Sequence, residues 1–414
     1  MSRSSELFEA SKTLIPGGVN SPVRAFAAVE GDPVFIQRGE GHHLIDVDDN
    51  RYVDLVGSWG PLILGHAHPA VAQAVNDAMS RGASFGAPTE AELRFAEDLV
   101  ERVPGLEMVR LCSSGTEATM HAIRLARGFT GRDAVIKLDG CYHGAHDTVL
   151  VAAGSGVATF AKPGSPGIVA PSTLTAPFND LHAVEEHFVT TPIAAVILEA
   201  VPGNMGCIPP APGYLEGLRR LCNQHGALLI IDEVMTGFRL ARGGACERFG
   251  VTPDLVALGK IIGGGLPLAA FGGRRDIMQR LSPLGPVYQA GTLSGNPLAV
   301  AAGRATLAQL TPEAYARLEI LGERLEAGLD LQGTSLNRVG SMFTIFFRSS
   351  PPRDMAEVKQ CDFDRFGRFH RAALRRGVYL PCSQYEAAFL PLSLTDDEVD
   401  GLAAQLSGAI RESA

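Results

Sequence analysis

The chain has 414 residues, 46% of them hydrophobic, enough for a large core divided over two or three domains. Its net charge of −9, with Lys and Arg scattered and no basic stripe, argues against nucleic acid as a partner. The longest apolar runs, Ile193–Leu198 and Ala227–Ile231, are far too short to cross a bilayer, the N-terminus lacks a secretory apolar stretch, and the seven Cys include no C-x-x-C pair, so a cytoplasmic protein with reduced thiols is expected.

Near the start, Phe35–Ile36 and Tyr52–Leu55 read as short strands flanking a turn at Asp48-Asp-Asn50. His42-His43 reads as a strand edge. Gly65-His-Ala-His-Pro69 has no neighbouring Cys or acid in the sequence and reads as a structural turn rather than zinc, so no metal is expected. From Glu107 onward, short apolar strands alternate with helical patterns. The strands are Glu107–Leu111, Ala134–Leu138, Ile193–Glu199, Ala227–Asp232, Leu255–Leu258 and Leu268–Gly272; the helices are Thr116–Arg127, Tyr214–His225 and Arg274–Leu281. Such alternation predicts an α/β domain with a mostly parallel central sheet. The Gly- and Pro-rich stretch Gly144–Pro171 reads either as a lid or as a plain surface loop. In the tail, Ala314–Leu329 and Asp362–Arg376 predict helices, Met342–Phe347 a strand, and Thr395-Asp-Asp-Glu398 a capping box opening a last helix. This pattern suggests a smaller α+β domain joined by the N-terminal segment, with boundaries at 1–62, 63–308 and 309–414.

Ligands of open α/β sheets gather beyond the carboxyl ends of the strands. Ser113-Ser-Gly-Thr116, His143, Asp232 and Lys260 all follow such ends. Ser113-Ser-Gly-Thr116 offers free N–H groups to a phosphate, although an ordinary helix cap is the commoner use of such residues. Tyr142, in Gly140-Cys-Tyr-His-Gly144, could stack on a flat heterocycle or simply pack. Asp232 could hold a pyridine nitrogen or cap the next segment. Lys260, flanked by Gly259 and Gly263-Gly-Gly265, lies among apolar runs where a bare ammonium is costly. A covalent link to an aldehyde cofactor would remove that cost. A P-loop does not fit, because Asp254 and Ile261 stand where Gly and Ser/Thr are required, and no G-x-G-x-x-G or Ser-His-Asp elbow is present.

Taken together these residues resemble the fold-type I pyridoxal-phosphate enzymes of the class III aminotransferase group. The flanking motifs narrow the resemblance to its glutamate-1-semialdehyde 2,1-aminomutase family, over nearly the whole chain. They are Pro16-Gly-Gly-Val-Asn-Ser-Pro-Val-Arg-Ala-Phe26, Val56-Gly-Ser-Trp-Gly-Pro61, Ser84-Phe-Gly-Ala-Pro-Thr-Glu90, Gly140-Cys-Tyr-His-Gly144, Val287-Tyr-Gln-Ala-Gly-Thr-Leu-Ser-Gly-Asn-Pro297 and Gly377-Val-Tyr-Leu-Pro-Cys-Ser-Gln-Tyr-Glu-Ala-Ala-Phe389. The chain departs from the family pattern at Ser113, at Ala200 and Pro202, at Ser393-Leu394, and in a short segment around Leu331–Asn337.

The resemblance implies that Lys260 carries the cofactor, pyridoxal or pyridoxamine 5'-phosphate, and shuttles protons. Asp232 would meet the ring nitrogen, with Val234 on one ring face and Tyr142 on the other. Ser114, Gly115 and Thr116 would hold the phosphate, joined by Thr292 from the partner subunit of a homodimer. Ser21, Arg24, Trp59, Glu199, Asn204 and Glu386 would surround the substrate, Arg24 facing its carboxylate and Glu386 acting as a gatekeeper. The implied reaction is an intramolecular amino transfer, from glutamate-1-semialdehyde to the tetrapyrrole precursor 5-aminolevulinate, through a diamine that must stay bound. A transient contact with the enzyme that supplies the semialdehyde also fits this picture. Two other readings stay open: an ω-aminotransferase with a separate 2-oxo acid acceptor, and a silent dimer that uses the fold only to bind.

Overall fold

A computed structural model describes residues 2–154 and 167–414. Near the N-terminus, β1 (Ile36–Glu40), β2 (His43–Asp46) and β3 (Arg51–Asp54) form an antiparallel ladder. The turn between β2 and β3 is set by Asp46, whose carboxylate accepts from the N–H groups of Asp48 (2.9 Å) and Asn50 (2.8 Å) and from the Tyr52 hydroxyl (2.8 Å). The first strand runs four residues beyond the expected Phe35–Ile36, and His43 opens an inner strand rather than an edge.

The central sheet contains β4 (Met108–Cys112), β5 (Ala134–Leu138), β6 (Thr173–Ala176), β7 (Ile193–Leu198), β8 (Leu228–Glu233), β9 (Leu255–Leu258) and β10 (Ala269–Gly273). Its order is β4-β10-β9-β8-β7-β5-β6, and β10 alone runs antiparallel to its neighbours. Every residue of β5, β7, β8, β9 and β10 is buried. Helices cover both faces, which is why these strands read as unbroken apolar runs. The sequence missed β6 because it is a short edge strand, three of whose four residues are only half-buried.

Among the tail strands are β11 (Ser335–Val339), β12 (Met342–Phe346), β13 (Val378–Tyr379) and β14 (Ala388–Phe389). Strands β11, β12 and β14 form one sheet, and β13 pairs in parallel with β3, aligning Val378 with Val53. Both ends of the chain thus share a sheet. The Tyr214–His225 helix has its expected bounds, and Thr395 and Glu398 form the capping box that opens the Asp396–Glu412 helix. The helix expected at Arg274–Leu281 contracts to Arg275–Met278. Val287 N donates to Arg280 O (3.0 Å) and Val287 O accepts from Ser282 N (2.8 Å), which draws the chain into a turn instead. Part of the suggested lid, residues 155–166, lies outside the described residues. Among the described residues no helix is long and apolar enough to cross a membrane.

Candidate active site

Two adjacent parallel strands aim the central pair. Asp232 lies near the end of β8, and Lys260 follows β9 by two residues. Gly259 is extended and Lys260 is left-handed, with φ +50°. A lysine held there stores about 1–3 kcal/mol of backbone strain, a sign that its position matters. The glycine before it permits close packing: a Cβ on Gly259 would stand 3.1 Å from Val234 Cγ1, and one on Gly115 only 2.9 Å from the same methyl.

Asp232 is buried, and two groups fix its carboxylate. Val234 N donates to Oδ1 at 2.9 Å, and His143 Nδ1 lies 2.7 Å from Oδ2. His143 is the functional residue whose role the sequence concealed. It lies in the Gly140–Gly144 motif, but its partner is 89 positions away. The available signal was its place beside Tyr142 after a strand. Burial lowers the proton affinity of His143, and Asp232 opposes that shift.

Lys260, Asp232, Val234, Gly115, Thr116, Tyr142, His143, Gly144, Glu199, Asn204 and Met235 line one cavity of about 210 Å³. At its edge the Gly115–Thr130 helix begins, capped by Ser114, whose hydroxyl accepts from Glu117 N at 3.2 Å. The cap use of this motif is thus realised, and the Ser114 hydroxyl keeps its own hydrogen to donate. Glu199 is buried and accepts from Tyr142 N (2.8 Å) and Gly203 N (3.1 Å), with Asn204 Nδ2 at 3.3 Å.

Burial pushes Glu199 up to about 7, reinforced by the charge of Asp232. Burial pushes Glu386 up to about 8, opposed by Lys260 and reinforced by Glu199. Burial lowers the proton affinity of Lys260, while Asp232, Glu199 and Glu386 pull it back. Burial thus shifts Lys260 toward its neutral, nucleophilic form, against the pull of three carboxyls. Folding keeps a proton on Glu386 between pH 4.5 and about 8, where an unfolded chain has released it. Its stabilising contribution is full below pH 4.5 and is lost as pH rises to about 8. The melting temperature of the wild type minus that of Glu386→Gln should fall across this window. A flat difference would show that Glu386 is ionised in the fold.

The other expected site residues lie outside the cavity lining. Ser21 precedes the Pro22–Ala25 turn, which places Arg24 at the surface; Phe26 then packs edge-on against His370 at 5.2 Å. Trp59 precedes Gly60, where a Cβ would stand 3.4 Å from Lys260 Cδ. Thr292 is exposed in this protomer. The His66 turn acquires an acidic partner that its sequence neighbourhood lacks: His66 Nε2 lies 2.7 Å from Asp54 Oδ2. Among the described residues no group of three or more His, Cys, Asp or Glu could hold a metal ion.

The cavity suits a flat heterocycle with an anionic tail. An anchored carboxylate, a buried histidine with a spare Nε2, a lysine and a helix N-terminus converge on it, and glycines keep Val234 close. Comparison with known proteins agrees. The aminotransferase class-III family model matches residues 26–410. A glutamate-1-semialdehyde 2,1-aminomutase of Sorangium cellulosum (strain So ce56) is 59% identical over 408 residues, covering 96% of this chain and 93% of the relative. An omega-transaminase from Sphaerobacter thermophilus superposes with a TM-score of 0.91 at 35% identity, covering 100% of this chain and 98% of that one. A glutamate-1-semialdehyde-aminomutase variant from Pseudomonas aeruginosa PAO1, in complex with PMP, superposes with a TM-score of 0.89 at 28% identity, covering 100% and 95%. The fold is thus shared by transaminases and aminomutases, while the full-length relatives at 55–59% identity carry the aminomutase name. The chain belongs to the pyridoxal-phosphate-dependent class III aminotransferases, in their glutamate-1-semialdehyde 2,1-aminomutase family.

Proposed function

We propose that the protein converts glutamate-1-semialdehyde to 5-aminolevulinate by exchanging amino groups within one substrate. The observation that carries this reading is the 59% identity to an aminomutase along nearly the whole chain. The bound cofactor supplies the electron sink and the exchangeable amine.

The chain's own residues supply the rest. Asp232, fixed by His143 and Val234 N, offers a carboxylate to the cofactor's ring nitrogen. Lys260, biased toward its neutral form, links to the cofactor and carries protons between neighbouring substrate carbons. Tyr142 and Val234 would flank the cofactor's ring. The Gly115 and Thr116 N–H groups and the Ser114 hydroxyl would hold its phosphate. Ser21, Arg24, Trp59, Asn204, Glu199 and Glu386 form the substrate region, Arg24 pairing with the substrate carboxylate. The division at residues 62 and 308 is our reading of the domains, and a cytoplasmic location our reading of the compartment.

A homodimer completes the site in this reading, with Thr292 reaching the phosphate of the partner subunit. Tyr288 and Leu293, on the same segment, are 70% and 54% exposed in the single chain, as expected of side chains that a second copy covers. Leu293→Arg should shift sedimentation from dimer toward monomer and weaken cofactor retention. A wild-type protein that sediments as a monomer would refute the shared site.

Purified protein given glutamate-1-semialdehyde and no amino acceptor should form 5-aminolevulinate steadily. Turnover only after addition of a 2-oxo acid would favour a transaminase.

A further inference from the structure

Arg239 is among the largest fully buried side chains of the protein, and among the described residues no carboxylate pairs with it. Burial pulls its guanidinium down to about 9. A buried cation without a counter-charge costs several kcal/mol, so its presence calls for a compensating role. Three elements receive it. Nη2 donates to Gly60 O at 2.5 Å, Nη1 donates to Ser341 Oγ at 3.2 Å, and the guanidinium lies over the Phe389 ring at 4.8 Å. Among the described residues its Nε has no hydrogen-bond partner.

Gly60 ends an unusual turn. Gly57, Ser58, Trp59 and Gly60 are all left-handed, with φ of 51°, 57°, 68° and 109°. Two of the four carry side chains, at a cost of about 1–3 kcal/mol each, so the surroundings must hold the turn in place. The same Gly60 lies against Lys260: a Cβ there would stand 3.4 Å from Lys260 Cδ and 3.5 Å from Phe389 Cζ. Arg239 therefore holds Gly60 by its carbonyl and Phe389 by its ring; Gly60 lies against the lysine stem, and Phe389 lies beside Gly60.

We propose that Arg239 is a positioning residue for Lys260: it clamps the strained Trp59 turn, whose Gly60 lies against the lysine stem, between its own guanidinium and Phe389, and adds a positive charge that acts on the amine. The proposal rests on reading Lys260 as the cofactor lysine. The charge adds to burial in disfavouring the protonated amine. A lysine at position 239 would keep the charge but lose the planar fork that spans two acceptors.

Trp59 is the only tryptophan of the chain, so its emission reports the turn directly. Holoenzymes carrying Arg239→Met, Arg239→Lys and, as a mild variant that removes one anchor, Ser341→Ala should be compared with wild type. All three should show red-shifted emission and stronger acrylamide quenching, Ser341→Ala least. The pH midpoint of the lysine-bound cofactor's visible band should rise by roughly one unit in Arg239→Met and stay in place in Arg239→Lys. In Arg239→Met, kcat should fall by roughly a hundredfold with KM little changed. Melting temperature should not fall in proportion, because an apolar replacement removes a desolvated charge. Unchanged emission in all three variants, or an unmoved midpoint in Arg239→Met, would overturn the proposal. Survival of the band in Lys260→Ala would instead remove the lysine assignment and the charge effect built on it, a failure separable from the tryptophan signal.

Discussion

Replacing Lys260 with alanine should abolish the visible absorbance of the lysine-linked cofactor and lower kcat by about 10³–10⁴-fold or more. The reason is a double loss. Lys260 is the lysine that lines the cavity, and the fold holds it in a strained backbone conformation beside Asp232. Burial shifts it toward the neutral amine needed both to attach the cofactor and to accept protons. The variant should fold with near-normal stability, because removal of a buried amine offsets the lost contacts. Absorbance spectra and steady-state kinetics together decide the matter. A band that persists in Lys260→Ala would place the cofactor on another residue.

Asp232→Asn should lower kcat by roughly a thousandfold while leaving the cavity's shape intact. The substitution keeps a hydrogen-bonding side chain but deletes the charge offered to the ring nitrogen. It also leaves His143, fully buried and 2.7 Å away, without an anionic partner. His143→Ala tests the support separately, and its effect should correspond to one hydrogen bond to a charged group, about 1.5–3 kcal/mol. If Asp232→Asn retained near-wild-type kcat, the carboxylate would be a helix-region cap and not part of the chemistry.

The sequence revealed the pieces of this site that depend on strand ends. Asp232 and Lys260 each terminate an apolar run buried on both faces, and such runs are visible without any tertiary information. For the same reason β5 and β9 have the bounds the sequence predicts. The Pro297–Gln309 helix escaped notice because apolar residues surround it almost uniformly, so it carries little helical periodicity. The partnership of His143 with Asp232 was hidden for a different reason. It joins residues 89 positions apart, and local pattern carries no record of such pairings. Arg239 lies in the same motif as Asp232, yet its meaning depends on Gly60 and Phe389, brought from the two ends of the chain. Likewise Arg24 and Thr292 were named by resemblance, and both are exposed in the single chain. The proposed site shared between two copies would cover Thr292, which one chain leaves exposed.

The raised proton affinities of Glu199 and Glu386 also bear on the chemistry. With both carboxyls biased toward neutrality, two extra anions are avoided in and around the cavity that receives a substrate carrying its own carboxylate. Activity in this account depends on keeping the diamine in place while its second amine is returned.

The central claim is that the amino group needs no outside acceptor. The most direct test counts product formed per active site when the purified holoenzyme receives excess glutamate-1-semialdehyde alone. The account predicts many equivalents of 5-aminolevulinate per Lys260, with no oxo acid present. Arrest at one equivalent or less, with turnover resuming only when a 2-oxo acid is supplied, would contradict it.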